Sequence, residues 1–493
     1  MGDAGQHQVS AREVRVRTLL FIVVALLIPL GFAFRTDIFN DGDTSWHIAS
    51  GRWILQHRAI PATDPFSFTA YGQPWVAMEW PADIVFALAQ RAAGLAGLAA
   101  VFAAALMALH GIIFAHLQRR AAPLAIVGAL LLMDVALSPF MLVRPHVLVW
   151  PLLVAWTALL ARGAESGRPP PLWAALILTV WSNTHGSFPL AALIGGTLAF
   201  DAMMTAKWAW ATLRQWLLFG AVSLAAICLN ANGLDGLLQP FHIAGLEMLH
   251  QIQEWQPSTP AMTPLFYGVL GVLFGTLLWR GVRVPPGRLV LLLLMLFMAF
   301  SQQRHQSWFV IVAAVLVPPL FASRAEPLRR LAPLALAAVP LLLARALIPL
   351  APPENVTNPT ALLAHVPPEL RSQPVFNEYS FGGPLILAGM RPFMDGRSDM
   401  YGDALFSEYF AIAQGDWPRF ERAVKRYGIR WTILPAGDTK LLRELDKSGE
   451  WKRAYADKVG VIHVRREAPS ASAAPPGTGA ASRPAAPPAP PRA

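Results

Sequence analysis

The chain has a single cysteine, Cys228, in 493 residues. A disulfide within the chain and a multi-cysteine metal site are therefore both excluded. Charge is scarce as well: Asp, Glu, Lys and Arg make up 14% of the residues, against about a quarter in soluble domains. No Gly-rich phosphate loop follows a strand pattern, which argues against a nucleotide-driven reaction. A nucleophile elbow with its Ser-His-Asp partners is missing too, and no internal repeat is visible.

Apolar residues are what the chain has in plenty. They make up 55% of it, the mean hydropathy is +0.43, and apolar runs recur from Thr18 to Leu350. The fold class is an α-helical polytopic membrane protein. The formal charge of +10 sits largely on arginines in short loops between these runs, as membrane orientation requires. It does not call for a nucleic-acid partner.

Arg12, Arg15 and Arg17 precede a first run at 18–34, which puts the start of that helix in the cytoplasm and the loop 35–81 outside. No small-x-small cleavage site precedes Arg35, so this helix is expected to be retained. A run near 84–117 returns the chain to Arg119 and Arg120. Helices near 122–138 and from about 147 lead out to Ser138–His146 and back to Arg162 and Arg168. Two pairs of short apolar runs then flank Ser182–Ser187 and Ser301–Gln306, with basic loops on their far sides. Between the pairs, a run at 215–229 exits into a polar loop, Asn230–Met262, and Pro264–Trp279 crosses back. A last helix at 331–350 brings the total to about eleven spans.

The expected domains are a membrane domain over 1–352, a small extracytoplasmic α/β domain over 353–467 and a disordered Pro/Ala-rich tail over 468–493. In the second domain, Val375–Phe376, Trp431–Leu434 and Val459–Val464 read as strands. Ala404–Gln414, Trp417–Tyr427 and Lys440–Ser448 read as helices, the second stopped by Gly428.

The chemistry centres on Asn40–Thr69, which opens with Asp41-Gly42-Asp43. A glycine between two acids permits a turn that aims both at one point. Taken alone, the pair reads better as a device for keeping an extracytoplasmic loop wet. Other mixed clusters map to the same membrane face, however: His47, Arg144 with His146, Asn183 with His185, and Arg304 with His305. A one-sided distribution of this kind points to a single outward-facing site. Arg144 and Arg304 suit a phosphate by charge and bidentate geometry, with the histidines as further donors. The acids suit deprotonation of an acceptor hydroxyl, or the holding of a divalent cation, Mg or Mn, by Asp41 and Asp43. An extracytoplasmic enzyme without a nucleotide needs a donor already activated in the membrane, and a lipid-linked phosphosugar meets that need.

Asp41-Gly42-Asp43, Trp46-His47, Ile60-Pro61, Asp64-Pro65-Phe66-Ser67, Trp75 and Glu79-Trp80 resemble a bacterial membrane family. Trp181-Ser182-Asn183-Thr184-His185-Gly186 is similar to the same family's helix-end motif. The order of elements resembles the GT-C class of polyprenyl-phosphate-sugar-dependent glycosyltransferases. Phe376-Asn377-Glu378-Tyr379-Ser380-Phe381-Gly382 resembles the WWDYG element of oligosaccharyltransferase catalytic subunits, with both tryptophans replaced. Asp395-Gly396-Arg397-Ser398-Asp399 follows as another candidate element.

These resemblances imply an inverting transfer from a polyprenyl-phosphate sugar to a glycan, lipid or protein acceptor at the bacterial inner (cytoplasmic) membrane. Asp41 or Asp43 would be the base, with Glu79 in reserve, and Asn377, Glu378 and Tyr379 would contact the acceptor. Two other readings are a transporter of lipid-linked glycan and a non-catalytic assembly or receptor protein.

Overall fold

The computed structural model describes residues 11–321, 331–437 and 439–466. The expected tail over 468–493 and the basic loop carrying Arg324, Arg329 and Arg330 lie outside the described residues. Six helices are long and apolar enough to cross a bilayer: Val14–Phe32, Trp80–Leu117, Pro123–Phe140, Pro145–Ser166, Trp210–Cys228 and Gln303–Phe321. Leu172–Thr184, Pro189–Thr205, Pro264–Arg280, Pro286–Ser301 and Pro333–Leu347 are apolar but shorter. Large apolar side chains such as Leu278 and Trp279 stand exposed on these helices. Such a surface suits lipid rather than water, and the protein is a multi-pass membrane protein.

The chain breaks its helices at both expected points. His185 takes an extended backbone after Leu176–Thr184 and so stops that helix. Gln302 does the same after Pro286–Ser301. Asn183, His185, Gln303 and Gln306 at the two breaks are buried in protein, where irregular backbone is tolerated.

Three features depart from the sequence reading. The first loop, read from the sequence as a loop over 35–81, carries a helix from Asp43 to His57. The helix Trp80–Leu117 has 38 residues and leaves helical geometry at Ala93 and Gly94. Its first part is therefore an arm packed along Asp43–His57, and only the remainder is free to span. The polar loop Asn230–Met262 contains a helix, Gly233–Ala244, with Leu234, Leu238 and Phe241 exposed.

The C-terminal domain is a four-stranded sheet of order β1-β2-β4-β3 flanked by helices. β1 is Val375–Asn377, β2 Trp431–Pro435, β3 Trp451–Ala456 and β4 Gly460–Arg465. β1 runs parallel to β2, pairing Val375 with Trp431. β4 is antiparallel to β2 and β3. β3 was not read from the sequence because it is an edge strand with a largely exposed, charged pattern, WKRAYA, lacking a continuous apolar signal. Gly428 takes a left-handed conformation (φ 67°) and ends Trp417–Tyr427, as expected.

Candidate active site

Asp41 Oδ1 accepts the Asp43 N–H at 2.7 Å, and this bond starts the helix Asp43–His57. Gly42 does not use glycine's conformational freedom: its backbone is ordinary right-handed (φ −66°, ψ −23°). What it supplies is room. A Cβ on Gly42 would lie 2.6 Å from the Ser380 carbonyl, and one on Gly383 would lie 2.0 Å from the Gly42 carbonyl. A Cβ on Gly396 would meet Asp43 Oδ1 at 1.7 Å. The acidic turn is therefore pressed against two segments of the C-terminal domain, Asn377–Gly383 and Asp395–Asp399.

Arg144 ties the acids together. Its guanidinium reaches Asp41 Oδ2 at 3.3 Å, Asp43 Oδ2 at 2.8 Å and Glu254 Oε2 at 3.2 Å. Asp43 Oδ1 also accepts from the Trp46 indole at 3.1 Å. Arg304 lies 3.6 Å from Glu254 Oε1 and 4.1 Å over the Trp255 ring. Glu79 projects between two imidazoles, 3.6 Å from His47 Nε2 and 3.7 Å from His185 Nε2. Neither distance is a hydrogen bond. The other nitrogen of His47 is fixed by Asp83 at 2.7 Å. His185 Nδ1 accepts the Ser187 N–H, which leaves its proton on Nε2, facing Glu79. Trp80 donates to Asn183 Oδ1 at 3.1 Å, joining that hairpin to the first loop.

Burial pushes Asp43 up to about 6 against the pull of Arg144, and it pushes Glu79 up to about 7. Asp41 is raised for the same reason. His47 is lowered by burial to about 4 and is neutral at physiological pH. Burial would also raise Glu254, but Arg144 and Arg304 overcome it and hold that carboxylate low, at about 2. Glu79 thus combines a pKa near neutrality with oxygens that hold no hydrogen bond, the condition a general base needs.

No family model matches the sequence, and no curated protein matches it. Solved structures do match. ArnT from Cupriavidus metallidurans bound to undecaprenyl phosphate is 12% identical with a TM-score of 0.50, covering 91% of this chain and 98% of that one. The apo form of the same protein is 14% identical with a TM-score of 0.51, covering 92% and 98%. This chain is similar in fold to ArnT. Coverage of that extent takes in the C-terminal domain as well as the bundle, and it agrees with the polytopic helical architecture read from the sequence.

In this ArnT-like fold the C-terminal domain is locked to the first loop by one arginine. Arg397 holds Asp395 through two bonds of 2.8 and 2.7 Å and Asp64 through one of 2.6 Å. Its guanidinium lies 5.1 Å from the Phe66 ring and 4.8 Å from the Trp75 ring. Tyr401 donates to Asp395 at 2.5 Å. Asp64 in turn accepts the N–H groups of Phe66 and Ser67.

The structure brings together Asp41, Asp43, His47, Glu79, Arg144, Asn183, His185 and Arg304. His146 borders the group, its ring 6.3 Å from that of His185. His305 lies outside it, its Nδ1 directed to the Met298 carbonyl at 3.3 Å. Asn377 does not face the site: it is fully buried, and its amide serves the backbone of Glu378, Phe393 and Met394. Glu378 caps the turn at Ser380. The Tyr379 phenol is raised by burial and then by the charges of Asp43, Asp395 and Glu254, which places it beside the cluster.

Glu254, Asp83 and the Arg397–Asp64 lock were missed as site residues. A signal for one of them was there: Glu254-Trp255 repeats the Glu79-Trp80 pair. Among the described residues no group of three or more His, Cys, Asp or Glu is placed to hold a metal ion. Asp41 and Asp43 each direct an oxygen at Arg144, so a guanidinium stands where a bridging cation would.

Proposed function

We propose that this protein transfers a sugar, with inversion, from a polyprenyl-phosphate-linked donor to an acceptor hydroxyl on a glycan, lipid or protein. The reaction takes place at the outer face of the bacterial cytoplasmic membrane. The reading is carried by one observation: Arg144, Arg304 and the carboxylates of Asp41, Asp43, Glu79 and Glu254 gather in one cluster beside the C-terminal domain. The fold similarity to a protein solved with undecaprenyl phosphate supports the donor class.

Arg144 is already shared among three carboxylates. Arg304 has a single, longer ion pair and is the better partner for the donor phosphate. Glu79 or Asp43 takes the acceptor proton as the acceptor oxygen bonds to the anomeric carbon. The bond from that carbon to the phosphate oxygen breaks, and the lipid phosphate leaves toward Arg304. Four carboxylates against two guanidiniums favour a neutral acceptor over a phosphorylated one.

The test is purified protein in liposomes with radiolabelled polyprenyl-phosphate sugars and a membrane extract as acceptor. Label should pass to a new product as polyprenyl phosphate is released. Label that moves between leaflets without transfer would make the protein a transporter. Neither transfer nor movement across the donor panel would leave a non-catalytic protein. A fusion after Pro352 reporting cytoplasm would place the site on the wrong face.

A further inference from the structure

At the opposite end of the bundle, the helices that begin beside Glu79 and Arg144 close around a second polar cavity. Eighteen residues separate Arg144 from Arg162 along one helix, about 27 Å at 1.5 Å per residue. The cavity has a volume of about 660 Å³ and is lined by Ala115, Gln118, Arg119, Arg120, Arg162 and Glu165.

Its charges do not balance. Among the described residues Glu165 is the sole acid in the lining, and its two oxygens already answer to Arg120 at 2.9 Å and Arg288 at 3.1 Å. The nearby Asp201 is taken by the N–H groups of Gly287 and Arg288. Arg119 and Arg162 therefore line the cavity with no ion pair to a carboxylate among the described residues. Behind them His116 is 1% exposed with neither ring nitrogen hydrogen-bonded. Four residues beyond Arg120, Leu124 stands 82% exposed at the start of Pro123–Phe140.

Two exposed guanidiniums lining one cavity at the helix ends, next to an exposed apolar surface, match a phosphate carrying acyl chains. We propose that this cavity binds the headgroup phosphate of an anionic phospholipid, with Arg119 and Arg162 as its ligands. The site is remote from the transfer centre and stands whether or not the proposed reaction is correct.

Native mass spectrometry of the full chain, released from vesicles of phosphatidylethanolamine with phosphatidylglycerol or cardiolipin, tests it. The expected result is one anionic phospholipid retained per chain in preference to phosphatidylethanolamine. Arg119→Gln with Arg162→Gln should reduce retention at least tenfold, while Arg214→Gln on another helix leaves it unchanged. Glu165→Gln, which removes the only acid of the lining, should increase it. Equal retention of neutral and anionic lipid, or full retention in the double variant, would overturn the proposal. So would weaker binding in Glu165→Gln, or binding of inorganic phosphate without any lipid preference.

Discussion

Two arginines organise the acids around the first loop, and they do opposite things. Arg397 is 1% exposed, meets two aspartates at hydrogen-bonding distance and packs beside the Phe66 and Trp75 rings. All three of its nitrogens bond a carboxylate, and its burial closes the group to a ligand. Arg144 is 24% exposed and also meets several acids, yet its partners, Asp41 and Asp43, are raised by burial. Nearly the same residue types thus give a fastener in one place and a reactive cluster in the other. The difference is saturation: a closed ion network is structure, and an open one beside half-desolvated acids is chemistry.

The largest effect should come from the open cluster. Asp43→Asn and Glu79→Gln keep shape but cannot accept a proton, and at least one should slow transfer roughly 10²–10⁴-fold with insertion unchanged. Parental rates in both variants would reduce the cluster to an electrostatic frame. If Glu79 is the base, transfer should rise with pH through about 7, since the carboxylate works only when deprotonated. One unit below that value, about a tenth of the sites are active. A flat profile in the wild type would remove Glu79 from the reaction.

Next comes the closed network. Arg397→Ala leaves Asp64 and Asp395 buried without their partner, and breaking such a pair costs about 3–5 kcal/mol. The C-terminal domain should become protease-sensitive, and transfer should fall with it because Gly396 loses its seat against Asp43. An unchanged melting temperature would show that the lock is not closed in solution. Arg304→Gln should weaken donor binding by about 1.5–3 kcal/mol, the worth of a charged hydrogen bond, measured by undecaprenyl phosphate competition. The smallest effect belongs to a third arginine near the same loop. Arg35 bonds Asp37 at 2.9 Å on the exposed surface, and Arg35→Ala should change stability by no more than about 1 kcal/mol.

The convergence of the open cluster was legible in the chain because a membrane restricts where polar groups can stand. Asp41, Arg144, His185 and Arg304 had to collect at helix ends on one face. Their partners were not legible in the same way. Arg397 and Asp64 are 333 positions apart, and the Asp64-Pro65 corner reads equally well as a helix stop. Asn377 looked like a substrate contact from its motif, whereas in the fold its amide is fully engaged by backbone.

From its sequence alone, the chain determined that it is a bundle of apolar helices with a small α/β domain, and that its mixed polar residues share one face. Hydrophobic periodicity and turn chemistry are local, so they survive in one dimension. Tertiary structure alone decided which acid lacks a hydrogen bond, which arginine is saturated, and that Gly42 is a glycine because the Ser380 carbonyl leaves no room for a Cβ. Those properties depend on distances between segments hundreds of residues apart, and on the burial that such packing creates.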